Sequence, residues 1–85
     1  MNIEKLKIVL ESCGVPHNMY SLTGGLPSEA YCIMYYQNHW EVYYSEHGNK
    51  NGLQKFNSEA EACVELLTCI LTDSYYKTNR LSLLS

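Results

Sequence analysis

Apolar positions along the chain follow two different periods. In the first dozen residues Ile3, Leu6, Val9, Leu10 and Cys13 recur at helical spacing and form one stripe. Asn2 supplies a helix N-cap, and Glu4 lies in the first turn, where the helix dipole favours an acid. Gly14 ends this helix and Pro16 prevents its restart. Residues 14–28 are a connection, with turn chemistry at Val15-Pro16 and Gly24-Gly25-Leu26-Pro27-Ser28. Met19, Tyr20 and Leu22 are expected to lay this connection against the core.

Residues 29–37 and 39–46 change to strand character, dense in tyrosine, β-branched and aromatic side chains. With Gln37-Asn38 as a tight turn, Tyr36 faces His39, Tyr35 faces Trp40, Ile33 faces Val42 and Tyr31 faces Tyr44. Tyr31, Ile33, Tyr35, Trp40, Val42 and Tyr44 then share one face, the expected core face. A slip of one residue would turn Glu41 toward the core, which is costly. The other face carries Cys32, Met34 and Tyr36 beside Tyr43, Glu41 and His39. His47 to Gly52 reads as a polar loop, and Leu53-Gln54-Lys55-Phe56 as a short third strand. Ser58 and Glu61 match a capping box. Ala62, Cys63, Leu66, Leu67, Ile70 and Leu71 give the buried stripe of a second helix that runs to about Tyr75.

This order predicts an α+β fold, α-β-β-β-α. A small antiparallel sheet of two to three strands has an N-terminal and a C-terminal helix packed on one face, and its other face is left to solvent. Residues 1–76 form the single domain. Residues 77–85 are a tail that extends the helix, docks on the core or hangs loose, and the sequence does not choose among these. A chain of 85 residues supports one domain with a thin core.

Composition narrows the function. With 46% hydrophobic and 18% charged residues, the chain has the content of a folded domain. Nine acids against six bases argue against a nucleic-acid partner, which needs a basic patch. Charges interrupt the N-terminal apolar run, so no secretory leader and no membrane contact are expected, and the expected location is cytoplasmic. In that reducing compartment Cys13, Cys32, Cys63 and Cys69 are expected as free thiols. Their spacing suits no metal site, and Gly24-Gly25 is a turn, not a phosphate loop. No metal and no cofactor are expected.

Two constellations bear on catalysis. His39, Glu41 and His47 come near one another in the hairpin and offer acid–base chemistry, the reading of a small His-dependent hydrolase or RNase. An open sheet face without a lysine or arginine to hold phosphate argues against it. Cys13 and His17 offer a nucleophile and its base, but Cys13 falls on the apolar stripe. Eight tyrosines against one phenylalanine are more telling. The face of Met34, Tyr36, Tyr43, Glu41 and His39, with Glu29 and Glu46 at its far end, has the makeup of a protein interface. The plain alternative is a face wiped by residues 77–85 or by the loop 14–28.

Three strings resemble a known family. Gly-Gly-Leu-Pro-Ser-Glu-Ala-Tyr-Cys-Ile (24–33), Trp-Glu-Val-Tyr-Tyr-Ser-Glu-His-Gly-Asn-Lys (40–50) and Phe-Asn-Ser-Glu-Ala-Glu-Ala-Cys (56–63) are similar to small bacterial immunity proteins of polymorphic-toxin and contact-dependent growth-inhibition systems. The resemblance spans residues 1–72, and 40–50 is its most specific part. It departs at His47, where members carry arginine, so no charge contact is carried over there. The tail after Tyr76 has no counterpart. The resemblance implies a protein that is not an enzyme and neutralises a cognate toxin domain, often a nuclease, by direct binding. The expected toxin contacts are Glu41, Tyr43, Glu46, Met34, Tyr36 and His39, with acids imitating phosphate toward a basic toxin. A generic adaptor using the same face is the third reading, and weak self-association is expected along the open hairpin edge.

Overall fold

The computed structural model describes residues 1–73, so the expected extension of the second helix beyond Asp73 and the tail 77–85 lie outside the described residues. Helix α1 (Ile3–Ser12) leads into a 3-10 turn (His17–Met19) and strand β1 (Tyr20–Ser21). Strands β2 (Ala30–Tyr36), β3 (His39–Glu46) and β4 (Asn49–Phe56) follow, and helix α2 (Glu59–Leu71) ends the described chain. The fold is α+β, as expected, but its sheet has four strands in the order β1-β2-β3-β4 and is mixed.

Local chemistry sets each helix boundary. The Asn2 side chain accepts from the Lys5 N–H at 2.9 Å, and the Glu59 carboxylate accepts from the Ile3 N–H at 2.8 Å. Two of the orphan donors of α1 are thus satisfied, one of them from α2. At the other end Val15 N–H reaches Leu10 O and Gly14 N–H reaches Glu11 O, the two bonds of a Schellman motif. That motif turns Val15 into the core and leaves Cys13, expected on the buried stripe, exposed as the C-cap. At α2 the Ser58 hydroxyl accepts from the Glu61 N–H at 3.1 Å and donates to the Glu61 carboxylate at 3.0 Å. Among the described residues this helix runs to Leu71, with Thr72 as C-cap.

Register between β2 and β3 is the one the alternation demands, with Tyr36 opposite His39, Ile33 opposite Val42 and Tyr31 opposite Tyr44. Gln37 and Asn38 both take positive φ, as a two-residue hairpin turn of the I′ kind requires. The expected polar loop at His47 to Gly52 is a second such turn, at His47-Gly48, followed at once by β4. Gly52 is not a loop residue. At φ +63 it forms a bulge, with Gly52 and Leu53 together opposite Tyr43. A glycine in a strand pattern reads as a loop signal when neighbouring asparagines surround it, so local sequence predicts a shorter strand than the one observed. The bulge, with Lys50 and Lys55 on the same edge strand, disfavours pairing with another chain along β4.

Leu6, Leu10, Val15, Ile33, Val42, Ala62, Cys63, Leu66 and Ile70 form one buried cluster. Helix α2 lies against β2, β3 and β4, and α1 packs against α2. The sheet extends past this helical layer at the β2–β3 turn. Tyr35, expected in the core, is therefore 57% exposed, and Trp40 beside it is only half-buried.

Strand β1 leaves no mark in the sequence pattern, because two residues carry no period. It pairs parallel with β2, Tyr20 beside Tyr31 and Ser21 beside Cys32. A parallel neighbour obliges the chain to travel back along the sheet before β2 can begin. Residues 22–29 make that return across the sheet face opposite the helices. The expected open face is thus half covered.

Candidate functional site

The covering strap is held by three contacts with the outer face. The Tyr43 hydroxyl donates to Gly25 O at 2.6 Å, and the Ser45 hydroxyl donates to Pro27 O at 2.6 Å. Gly24 lies directly on Met34, with φ +77 and a virtual Cβ only 2.8 Å from the Met34 Cβ. Side chains are kept out of this position by both backbone and space. Gly24→Ala should cost about 2–4 kcal/mol of stability, measurable as a lower denaturation midpoint. A midpoint equal to the parent would mean that the strap does not close on Met34.

Beneath the strap Cys32, Tyr43 and Ser45 are buried. Burial first, then the neighbouring Cys32 and Glu41 groups, push the Tyr43 phenol up to about 12, which keeps it a donor at neutral pH. Tyr43 was expected to touch a partner; it is 1% exposed and is instead a clasp for the chain's own loop. The sequence held the signal in Gly24-Gly25 and Pro27, which permit close backbone approach, but not the strand that aims them.

Glu41, also expected as a surface contact, is 4% exposed. Its Oε1 pairs with the Lys50 ammonium at 3.2 Å and its Oε2 faces His39 Nε2 at 3.3 Å. Burial works to raise the Glu41 carboxyl, but the Lys50 and His39 hydrogen bonds and charges outweigh it and hold the group below the usual glutamate value. The His39 ring also has Nδ1 3.1 Å from Gln37 O. Both ring nitrogens therefore face acceptors, and only the imidazolium donates to both. Lys50 runs along the face, with its ammonium 4.8 Å from the Tyr43 ring centre and 5.7 Å from that of Tyr36. Its ammonium also lies 3.7 Å from the Met34 sulfur.

Of the six expected contacts, Tyr36 is exposed, Met34, His39 and Glu46 are half-buried, and Glu41 and Tyr43 are internal. Tyr36 is 46% exposed. Beside it stand Tyr35 and Trp40, whose rings meet edge-on at 5.2 Å between centroids. The two-residue turn presents these aromatics on both faces of one rigid hairpin end.

The catalytic constellation is divided. His39 begins β3 and His47 follows its end, eight residues and about 26 Å away. His47 pairs instead with Glu46 at 3.6 Å on the surface. The Cys13–His17 combination, weighed against core packing of Cys13, joins an exposed helix cap to a 3-10 turn in which His17 meets the Tyr20 ring edge-on. Cys32 and Cys63 are buried, and burial raises both thiols. Burial and the Glu65 hydrogen bond push the Cys69 thiol up to about 11. None of these three is a ready thiolate at neutral pH.

At the opposite end of the sheet a cleft of about 580 Å³ opens between the 3-10 turn, the start of β2 and the end of α2. Pro16, Asn18, Met19, Ser28, Glu29, Tyr31, Tyr44 and Asp73 line it. The Tyr31 hydroxyl donates to Asp73 Oδ2 at 2.8 Å, and the Tyr31 and Tyr44 rings stand 4.8 Å apart at 59°. No period or motif marked this cleft, since its residues come from four separate parts of the chain. No group of three or more metal-binding side chains occurs among the described residues, and no helix among them is long and apolar enough to cross a membrane. Comparisons with known protein families, with curated proteins and with solved structures return no match to this chain.

Proposed function

We propose that this protein is an immunity protein, which neutralises a cognate bacterial toxin domain by direct binding and performs no chemistry itself. The exposed aromatic end of the β2–β3 hairpin carries this reading. Tyr35 and Tyr36 are large, have few torsions to freeze, and stand on a turn that is already ordered. Tyrosine and tryptophan in such positions are the residues that concentrate binding energy at interfaces. The acid excess suits a basic toxin, such as a nuclease, through electrostatic steering. The strings around 24–33, 40–50 and 56–63 that resemble immunity proteins point the same way. The cytoplasm is the compartment where such a toxin would be met.

Contacts on this reading centre on Tyr36, with Tyr35 and Trp40 beside it and His39 and Met34 at the margin. Glu41 acts indirectly, by holding Lys50 and His39 in place. Co-expression with the product of the adjacent gene tests the proposal. The expected result is a complex that co-purifies and cells that survive the toxin domain. Recovery of the protein alone, with no protection, would end this reading. Within a complex, Tyr36→Ala should weaken affinity about tenfold with the unfolding midpoint unchanged, read by calorimetric titration.

A further inference from the structure

The two hairpin turns differ in composition. His47-Gly48 has a glycine at its second position, whereas Gln37-Asn38 has none, although its residues stand at φ +49 and +68. Asparagine tolerates that region, but glutamine is held there against a steric cost. A turn of this kind needs support from outside itself.

His39 supplies it. Its Nδ1 lies 3.1 Å from Gln37 O and its Nε2 lies 3.3 Å from Glu41 Oε2. Glu41 is buried, and its other oxygen is anchored by Lys50 on β4 at 3.2 Å. The ring thus joins a turn carbonyl to an ion pair fixed in the sheet. The imidazolium donates at both ends, whereas a neutral ring has a single N–H. The charged carboxylate is the stronger acceptor, so a neutral ring keeps its proton at Nε2. Nδ1 then presents a lone pair to Gln37 O, and the turn loses its donor. Other groups on this face do not replace it. Strand β2 sets the Tyr36 phenol opposite His39, and β4 sets Lys55 opposite Glu41. The strap, residues 22–28, contains no titratable side chain.

We propose that His39 is a proton-operated latch on the β2–β3 turn. As the imidazolium it ties Gln37 O to the Glu41–Lys50 pair; on losing its proton it releases Gln37 O and loosens the end that carries Tyr35 and Tyr36. Histidine ordinarily changes charge between about pH 5 and 8, so the latch works in the physiological range. Its contribution is present on the acid side of the His39 titration and is lost as pH rises through it. Glu41 sets the other limit. Its carboxyl is held below the usual glutamate value, so it stays ionised wherever the imidazole titrates. A looser turn must be ordered on binding, so affinity for a partner gripping Tyr36 falls over the same pH step. That consequence alone rests on the toxin-neutralising reading.

The test is an NMR titration of the isotope-labelled chain from about pH 5.5 to about 8.5. Ring signals report the protonation of each histidine, and amide exchange, corrected for its intrinsic pH dependence, reports order in residues 36–39. The expected result is a His39 ring protonated on both nitrogens at the acid end and on Nε2 at the basic end. Protection of residues 36–39 should fall about three- to tenfold, in step with His39 and not with His17 or His47. His39→Gln, whose one amide cannot span both acceptors, should show low protection with no step. Constant protection while His39 titrates, a step that follows His17 or His47, or a neutral ring protonated on Nδ1 would overturn the proposal. So would a parent-like step in His39→Gln. The parent titration decides the matter by itself if the variant fails to fold. No partner is present in this experiment, so its failure leaves the co-purification result standing, and failed co-purification leaves the latch standing.

Discussion

Tyr43→Ala should destabilise the protein by about 3–5 kcal/mol, the range for removing a large ring from a packed interior. The ring is buried between the strap and the sheet, with the Lys50 ammonium lying over it, so its removal opens a cavity beneath the strap. Tyr43→Phe should cost only about 1–2 kcal/mol, because the ring stays and only the hydroxyl's bonds, to Gly25 O and to the Met34 sulfur, are lost. Denaturant unfolding of the two variants separates ring from hydroxyl. The comparison also bears on binding studies. A loss of toxin affinity in Tyr43→Ala would report a loosened strap, whereas Tyr36→Ala reports contact. Near-parent stability in Tyr43→Ala would mean that the outer face is open and that the tyrosine belongs to the surface.

Lys50→Ala has the second large effect, about 2–3 kcal/mol at neutral pH, because it strands a buried carboxylate with His39 as its remaining partner. Its pH dependence identifies the cause. In the parent, Glu41 titrates below its unfolded value when folded, so its contribution to stability is complete above that unfolded value. It is lost as pH falls through the lower, folded value. Without Lys50 the burial that opposes ionisation has less to offset it, and the folded carboxyl moves upward. The variant should then bind a proton more readily when folded, and its deficit relative to the parent should shrink as pH falls from 7 toward 4. Chemical denaturation at several pH values reads this directly. A deficit that stays constant over that window would show that Lys50 acts through its stem packed on Tyr43 and not through Glu41.

Both predictions concern residues that alternation alone placed on a surface. The β2–β3 register was legible because large side chains and Glu41 cannot exchange faces without burying the acid in the helical core. The α2 cap was legible because Ser58 and Glu61 act within four residues of each other. What alternation reports, however, is only that two faces differ. Tyr43 and Glu41 share the polar face, yet one is roofed by a returning loop and the other is neutralised by a lysine nine residues away. The hairpin tip shows the converse error. Tyr35 has the period of a core residue, but the helices end before they reach it.

The two helices, the β2–β3 hairpin with its register, and the Asn2 and Ser58 caps follow from neighbouring residues alone, since each depends on contacts within a turn or across a tight hairpin. Tertiary structure decided the rest. A two-residue parallel strand throws residues 22–29 across the outer face, which buries Tyr43 and Ser45. It leaves the aromatic hairpin end, with Tyr35 and Tyr36, exposed. Such a return is set by long-range pairing between Tyr20-Ser21 and Tyr31-Cys32, and two residues are too few to leave a periodic trace.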